Sequence, residues 1–398
     1  VGLGSQVLIG MVAGTLLGAV LGQRVTVLQP VGDLFIRLLV LAAVPLVFFN
    51  LLAGLTTLTD LKTLGRLTAK IVTYYGVTTV VAVAIGIGAM ELFRPGVGVT
   101  QRAQLTQEVA AAPSVVQVLL DLIPGNVVRA FSEGNVAQVV VLAVLLGVAT
   151  LSLADGPRDR LRTVFADIAT LFRKVVDFIL KVAPYGVGAL MAVTVGRYGP
   201  QVFGPMARFV GGITAAQLVI FLLYLTLLKA LTPYRPLRFL KQTGTVWATT
   251  AATTSSLASL STALEAADTM RIPRSIYAFT LPLGNQINKD GTAALLGAIV
   301  VFTAQASGTS LSGGDLVTIV LLGLLLSAGS GGIPAGGFVV ALVMVEAFHL
   351  PLEMAAMVGG IYRLIDMGNT TLNVMGDMIG TLLVTHWERD RLPSELTV

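Results

Sequence analysis

The chain has 398 residues, of which 55% are hydrophobic and only 12% charged, about half the charged share of an ordinary soluble domain. It has no cysteine, which excludes a disulfide framework, thiolate chemistry and a cysteine metal site; its two histidines, His349 and His386, sit near segment ends and do not make a metal centre. The net charge of +5 falls in loops between apolar runs, so it speaks for membrane topology and against a nucleic-acid partner.

Residues ~5–22 read as a first membrane span, retained because no signal-cleavage pattern follows. Gln29-Pro30 is expected to break it, and residues ~31–56 to form a second span, with Asp33 and Arg37 one turn apart as a helix-end ion pair. Lys62, Arg66 and Lys70 mark a basic turn before a third span at ~71–93, which Arg94-Pro95-Gly96 ends; residues 97–113 are polar and irregular. Between 113 and 154, Pro124-Gly125-Asn126 and Ser132-Glu133-Gly134-Asn135 interrupt the apolar pattern, predicting several short helices. Arg158, Arg160 and Arg162 form the next basic loop. A span at ~164–193 carries Arg173, Lys174 and Lys181, a density of charge that suits a face packed on protein or a wet groove. Another span follows at ~203–231, then Arg235, Arg238 and Lys241.

Residues 245–269, TVWATTAATTSSLASLSTALEAADT, are too polar for a span and too apolar for a loop. Two half-length helical pieces around a Ser/Thr run read as a re-entrant hairpin. The next stretch, IYAFTLPLGNQINKDGT (276–292), begins apolar and then places Asn285, Gln286, Asn288, Lys289 and Asp290 at mid-membrane depth before AALLGAIVVFTAQA resumes. A charge there costs about 2.5–3.5 kcal/mol on insertion scales and so needs a partner and a role. Gly284 and Gly291 bracket this polar knot, and irregular backbone at that depth is tolerated only where it lines a protein cavity. The stretch predicts a broken helix holding an ion or substrate site. A second hairpin is expected over 316–347, with SAGSGGIPAGG (327–337) as its tip. The last span, 354–385, carries Arg363 and then Asp366, Asn369, Asn373 and Asp377, whose spacing of 3, 4 and 4 puts them on one helix face.

If the spans alternate and each hairpin re-enters from its own side, the basic clusters all fall on one side, leaving only scattered charges such as Arg24, Arg94, Arg102 and Asp315 on the other. The positive-inside rule then puts both termini and the mouth of the first hairpin in the cytoplasm and the second hairpin's mouth outside. Hairpins of opposite entry, each followed by a span polar at its middle, make an inverted repeat, which places substrate and ions at the midplane. Asp290 and Asp377 are anions that need cations to be buried, and glycine-rich tips at half-helix ends offer N–H groups to a carboxylate.

These motifs resemble the glutamate/aspartate and dicarboxylate–cation symporters over nearly the whole chain. The likeness is carried by PVGDLFIRLL (30–39), Tyr74-Tyr75, APYGVGALMA (183–192), TSSLAS (254–259), FTLPLGNQINKDGTA (279–293), SGGIPAGG, and DMGNTTLNVMGD (366–377). The resemblance implies an all-α polytopic membrane protein with eight transmembrane segments and two re-entrant hairpins, assembled as a homotrimer in the inner (plasma) membrane. It implies a scaffold from residues 1–64 and 97–195. The mobile, elevator-like transport domain would be residues 65–96 and 196–398, with hairpin 1 at ~243–270, the seventh span at ~275–306, hairpin 2 at ~314–348 and the eighth span at ~352–386.

By the same resemblance, Asp366 binds a substrate ammonium, and Asn373 the α-carboxylate together with backbone N–H groups near Ser256. Thr292 and Thr370 help with the side chain, and Ser255, Ile333, Gly337, Arg363 and Asn369 complete the substrate set. One sodium maps to Gly284, Asn288, Asn373 and Asp377, and another to Tyr75, Thr78, Thr79, Asn288 and Asp290. Gln286 and Ser327 mark a third place. Hard oxygens suit sodium as the coupling ion, and no other cofactor is implied.

Three departures stand out. Acidic-substrate members carry an arginine where this chain has Asn369, so the bidentate fork for a second carboxylate is absent there. That points to a small neutral or polar amino acid. The position before the hairpin serines, often arginine, is Thr254, and Arg363 is expected either to pair with Asp366 or to reach the ligand, in which case aspartate, glutamate or a C4-dicarboxylate is the alternative substrate. Lys289 stands where an apolar residue or methionine is usual, and Gln286 replaces a threonine, so an ammonium is expected in place of one sodium. An anion-conducting channel is the alternative of a different class, disfavoured because the polar residues cluster at mid-depth. An enzyme is disfavoured because Ser255 and Ser256 have no histidine near them.

Overall fold

The computed structural model describes residues 3–56, 65–97, 123–132, 136–198, 203–330, 335–359 and 361–389, and among them every regular element is helical. The first helices are α1 (Leu3–Leu21), α2 (Gln29–Thr56) and α3 (Gly65–Phe93), followed by the short α4 (Val127–Ser132) and then α5 (Val136–Leu151). The middle of the chain is α6 (Asp155–Lys181), α7 (Ala183–Tyr198), α8 (Phe203–Leu231) and α9 (Pro236–Gln242). The remainder is α10 (Gly244–Thr253), α11 (Leu260–Thr269), α12 (Arg274–Ile287), α13 (Asp290–Ser307), α14 (Gly313–Ala328), α15 (Gly336–Ala347), α16 (Leu352–Gly359) and α17 (Tyr362–Glu388).

Two neighbourhoods form. α2 packs on α5, α6 and α7, and α1 lies along α7. In the other, α13 is wrapped by α3, α8, α14, α15 and α17, while α17 also packs on α10 and α12. In the run Ile276–Ser307 the most apolar window is 89% buried, against 17–33% in Ile9–Phe35, Arg66–Phe93 and Phe203–Leu231. The central stretch is therefore protein-lined on nearly all sides, as its polar residues require. α3 and α13 meet backbone to backbone: a Cβ on Gly86 would lie 2.0 Å from the Ala294 carbonyl oxygen. Gly86→Leu is expected to destabilise the fold by at least the ~1–3 kcal/mol of an overpacked core. The check is its melting temperature in detergent; melting with the wild type would refute this crossing.

The ends of α3 and α17 are tied by a buried carboxylate. Glu388 accepts from Arg66 Nε at 2.9 Å and Nη2 at 2.6 Å, and from Lys70 Nζ at 2.6 Å. Two distant segments of the sequence thus close on one another at the basic end of the molecule.

Several expectations need correction. Gln29-Pro30 does not separate the first two helices; a 3₁₀ stretch, Gly22–Leu28, does, and Pro30 falls in the first turn of α2, where its missing N–H is not needed. Asp33 accepts from Gln29 Nε2 at 2.7 Å, and it forms no ion pair with Arg37 among the described residues. The span expected at ~164–193 is two helices, with Asp155–Ile179 and Ala183–Arg197 bent by 56°. Pro184 in the first turn of α7 cannot donate to α6, so the hydrogen-bond ladder stops at that point. The last span is likewise divided, α16 ending at Gly359 and α17 beginning at Tyr362. Among the described residues, four helical runs are long and apolar enough to cross a membrane, or five with the bent pair taken as one. α14 and α15 are apolar but short. The irregular segment 97–113 beyond Val97, and the start of the region at 113–154, lie outside the described residues.

Candidate functional site

The centre of the site is the two-residue break between α12 and α13. Asn288 is extended (φ −92°, ψ 111°) and Lys289 leaves the helical region (φ −137°, ψ 53°). The Asn288 N–H closes α12 on the Gly284 carbonyl at 2.8 Å, the Lys289 carbonyl opens α13 by accepting from the Ala293 N–H at 2.7 Å, and the helix is broken between them. Asn288, Lys289 and Asp290 are all fully buried. The break spreads these three side chains to three partners. Asp290 accepts from Thr79 Oγ1 on α3 at 2.6 Å and from the Tyr224 hydroxyl on α8 at 2.5 Å. Asn288 Nδ2 donates to Asp377 Oδ1 on α17 at 2.9 Å. Lys289 Nζ donates to Ser256 Oγ at 3.1 Å and to the Asn285 carbonyl at 2.5 Å, while Asn285 Nδ2 donates to the Ser256 carbonyl at 2.5 Å. Lysine and asparagine thus fasten the turn between α10 and α11 to the broken helix.

The predicted face of α17 is present: Asp366, Asn369, Asn373 and Asp377 are all buried. Asn373 Oδ1 accepts from the Gly291 N–H at 2.8 Å, and its Nδ2 lies 3.5 Å from Thr292 Oγ1. Asp366 accepts from the Tyr362 hydroxyl at 2.8 Å and from the Ala335 N–H at 3.2 Å. Ala335 is the residue capping α15, with φ +61°, and its backbone N–H is the donor that meets the Asp366 carboxylate. Arg363 donates from Nη1 to Thr254 Oγ1; Thr254 caps the end of α10 with φ +49°. The arginine therefore reaches the first turn, at the very position where the resemblance had suggested an arginine of its own.

Gly284 packs where only a hydrogen fits, since a Cβ there would lie 2.3 Å from the Tyr75 hydroxyl and 2.4 Å from Asp377 Oδ1. Gly337 is held similarly, its Cβ position 2.5 Å from the Tyr362 hydroxyl and 3.2 Å from Thr292. Tyr75 donates to the Thr280 carbonyl at 3.2 Å, and Thr78 back-bonds to the Tyr75 carbonyl at 3.2 Å. Ser255 and Thr370 are buried, and Ser255 Oγ accepts from the Ala258 N–H. The third cation place is not assembled by hydrogen bonds: Ser327 Oγ turns back to the Leu324 carbonyl, and no bond joins it to the half-buried Gln286 among the described residues. Ile333 lies outside the described residues.

Three participants escaped the sequence reading. Tyr224 and Gln217 sit seven residues apart on α8, in an otherwise apolar run, and that spacing of two polar side chains on one helix face was the available signal. Tyr362, one turn before Asp366, was the third.

The oxygen inventory tests the fit to sodium. Asn288 commits its Nδ2 to Asp377 and to the Asn373 carbonyl, which leaves Oδ1 buried without a partner. Asn285 Oδ1 and the Tyr74 hydroxyl are buried and unpartnered too. Unpaired buried acceptors close to two carboxylates are destabilising on their own and fit a hard, oxygen-seeking cation. Asn288, Asn373 and Asp377 would hold one sodium. Asp290 and Asn288 with Thr78, Thr79 and Tyr75 would hold another.

Comparison with known proteins bears on the same residues. Residues 3–387 match the family model described as the sodium:dicarboxylate symporter family. The proton/glutamate-aspartate symporter of Escherichia coli (strain K12) is 33% identical, the match covering 96% of this chain and 92% of that protein. The proton/sodium-glutamate symport protein of Geobacillus stearothermophilus is 27% identical over 98% of this chain and 95% of its own length. A C4-dicarboxylate transport protein of Cupriavidus necator is 28% identical over 97% and 91%. With its apolar helices, its broken central helix and a match running almost end to end, this chain is a membrane protein that belongs to the sodium:dicarboxylate symporter family.

Proposed function

We propose that this chain is a secondary active transporter that carries a small amino acid across the membrane, coupled to sodium, to protons or to both. Asp366 takes the ammonium, Asn373 and the backbone N–H groups near Ser256 take the α-carboxylate, and Thr292, Thr370 and Asn369 meet the side chain. The observation that carries this reading is the pair Asp366 and Asn369: a buried carboxylate suited to an ammonium, followed one turn later by an uncharged amide where a second carboxylate would need a cation. The acidic reading is favoured by the names of the relatives and by Arg363, which is anchored at Thr254 beside the first turn. In that case the guanidinium recognises the second carboxylate of aspartate, glutamate or a C4-dicarboxylate.

The elevator mechanism, the trimer, the eight spans, the two re-entrant hairpins, cytoplasmic termini and an inner-membrane location belong to this proposal. Its support is the packing of α1, α2 and α5–α7 around one another and of the remaining long helices around α13. The scaffold is residues 1–64 and 97–195, and the transport domain is residues 65–96 and 196–398. The site lies wholly within the second group, so moving that group carries substrate and ions together.

Lys289 supplies the charge of one sodium. Its ammonium is bound by a hydroxyl and a carbonyl, the ligand types a sodium would take, and it joins the turn after α10 to the broken helix. The test is thermal stabilisation of the purified protein by a panel of amino acids and dicarboxylates, in sodium and in choline. Stabilisation by neutral amino acids, and not by succinate or fumarate, supports the amino-acid reading; the reverse supports the dicarboxylate one. Lys289→Met is expected to make binding depend more steeply on sodium, with the half-maximal concentration at least ~10-fold higher, one ion's worth of buried charge having been removed. Unchanged cation dependence would reject the replacement.

A further inference from the structure

Gln217 stands on α8, across from the substrate face of α17. Its Nε2 donates to the Ile365 carbonyl at 3.0 Å and to Asn369 Oδ1 at 2.9 Å. The first of these bonds fixes the second, because a backbone carbonyl can only accept and the nitrogen of Gln217 must therefore face α17. Asn369 then has to turn its oxygen toward that nitrogen. Its Nδ2 is left on the other side, fully buried, making no well-formed hydrogen bond among the described residues, with the Tyr362 hydroxyl, which already donates to Asp366, beside it. Gln217 has little freedom to move, since its Oε1 lies against the bare Cα of Gly368, 2.3 Å from where a Cβ would stand.

We propose that Gln217 is a positioning residue for selectivity: it locks the Asn369 amide so that the site offers the ligand an N–H donor and withholds an acceptor. This deepens the amino-acid reading and rests on it. A ligand side chain ending in an acceptor, as in an amide, a hydroxyl or a carboxylate, satisfies the orphaned Nδ2. One that can only donate leaves two donors facing each other. Without Gln217 the amide can rotate by half a turn and present either group.

The experiment measures binding of L-alanine, L-asparagine, L-aspartate and L-2,4-diaminobutyrate to the full detergent-solubilised chain, wild type, Gln217→Leu and Gln217→Met. Alanine reads only the ammonium and α-carboxylate contacts. The wild type is expected to prefer asparagine and aspartate over diaminobutyrate by at least ~10-fold, the penalty of an unmade buried hydrogen bond. Both variants are expected to shrink that ratio by at least ~5-fold while alanine affinity stays within about twofold. The charges around the site are the same in all three proteins, so a change of ratio reports the amide and not the field. An unchanged ratio overturns the proposal. So does loss of alanine binding in both variants, because Gln217 then holds the two helices together and sets no orientation. Failure of the wild type to bind any of the four amino acids would instead defeat the amino-acid reading on which the proposal rests.

Discussion

Asp366→Asn is expected to raise the dissociation constant for an amino-acid substrate by about 30-fold to several thousand-fold, the 2–5 kcal/mol of breaking a buried charge pair. The substitution keeps the shape of the side chain: the asparagine oxygen can still accept from the Ala335 N–H, while its Nδ2 donates to the Tyr362 hydroxyl, which can turn to accept. What disappears is the charge. An ammonium entering this buried face has shed its water, and it needs the anion far more than an exposed ammonium would. A dicarboxylate has no ammonium and would meet Asp366 as a like charge, so the same variant should leave succinate binding unchanged or improve it. Binding of alanine and succinate to wild type and variant therefore separates an amino-acid substrate from a C4-dicarboxylate. Alanine binding that survives Asp366→Asn within a factor of two would remove Asp366 from the ammonium site.

What could be read in the sequence was local, and what could not was made by pairing across helices. The α17 face was legible because Asp366, Asn369, Asn373 and Asp377 repeat at 3, 4 and 4 residues, a spacing that only a helix makes into a face. The break was legible because asparagine, lysine and aspartate in succession cannot lie on an apolar helix at that depth without partners. Gln217 and Tyr224 escaped because each is a single polar residue in an apolar run, ordinary until α8 is laid against α17 and α13. The bend at Val182 was overlooked although Pro184 was in view, because hydropathy runs smoothly through it while the hydrogen-bond ladder does not. Asp33 and Arg37 have helical spacing for an ion pair, yet Gln29 was closer to hand for the aspartate. Surface pairs of that kind contribute little, so nothing compels them to form. Arg363 fell between these cases. Its neighbourhood with Asp366 was plain from spacing, but its bond to Thr254 depends on the turn that ends α10.

Asp290→Asn should give a paired signature: higher stability without ions and loss of the response to sodium. Asp290 is fully buried as the first residue of α13, with one hydroxyl donor from α3 and one from α8. Its position at a helix N-terminus favours the anion by about 0.3–1 kcal/mol, or up to ~2 in a partly buried setting. Burying a carboxylate without a counter-ion is opposed by several kcal/mol, so desolvation wins and the ion-free protein carries a net penalty there. Asparagine removes that penalty and can still bond to Thr79 and Tyr224, whose hydroxyls turn to suit it. Melting in choline should therefore move up. In sodium the wild type recovers by placing the cation against Asp290 and the unpartnered oxygen of Asn288, whereas the variant has only neutral oxygens to offer. The sodium concentration for half-maximal stabilisation should rise by at least ~100-fold, corresponding to the 3–5 kcal/mol lost when one member of a buried pair is removed. A variant that titrates with sodium like the wild type, or a wild type that responds to no cation, would place the coupling ion elsewhere. The two halves of the signature also separate a cation site from a merely structural carboxylate: a structural Asp290 predicts lower stability in choline as well, because Thr79 and Tyr224 would lose the anion that joins α3 to α8.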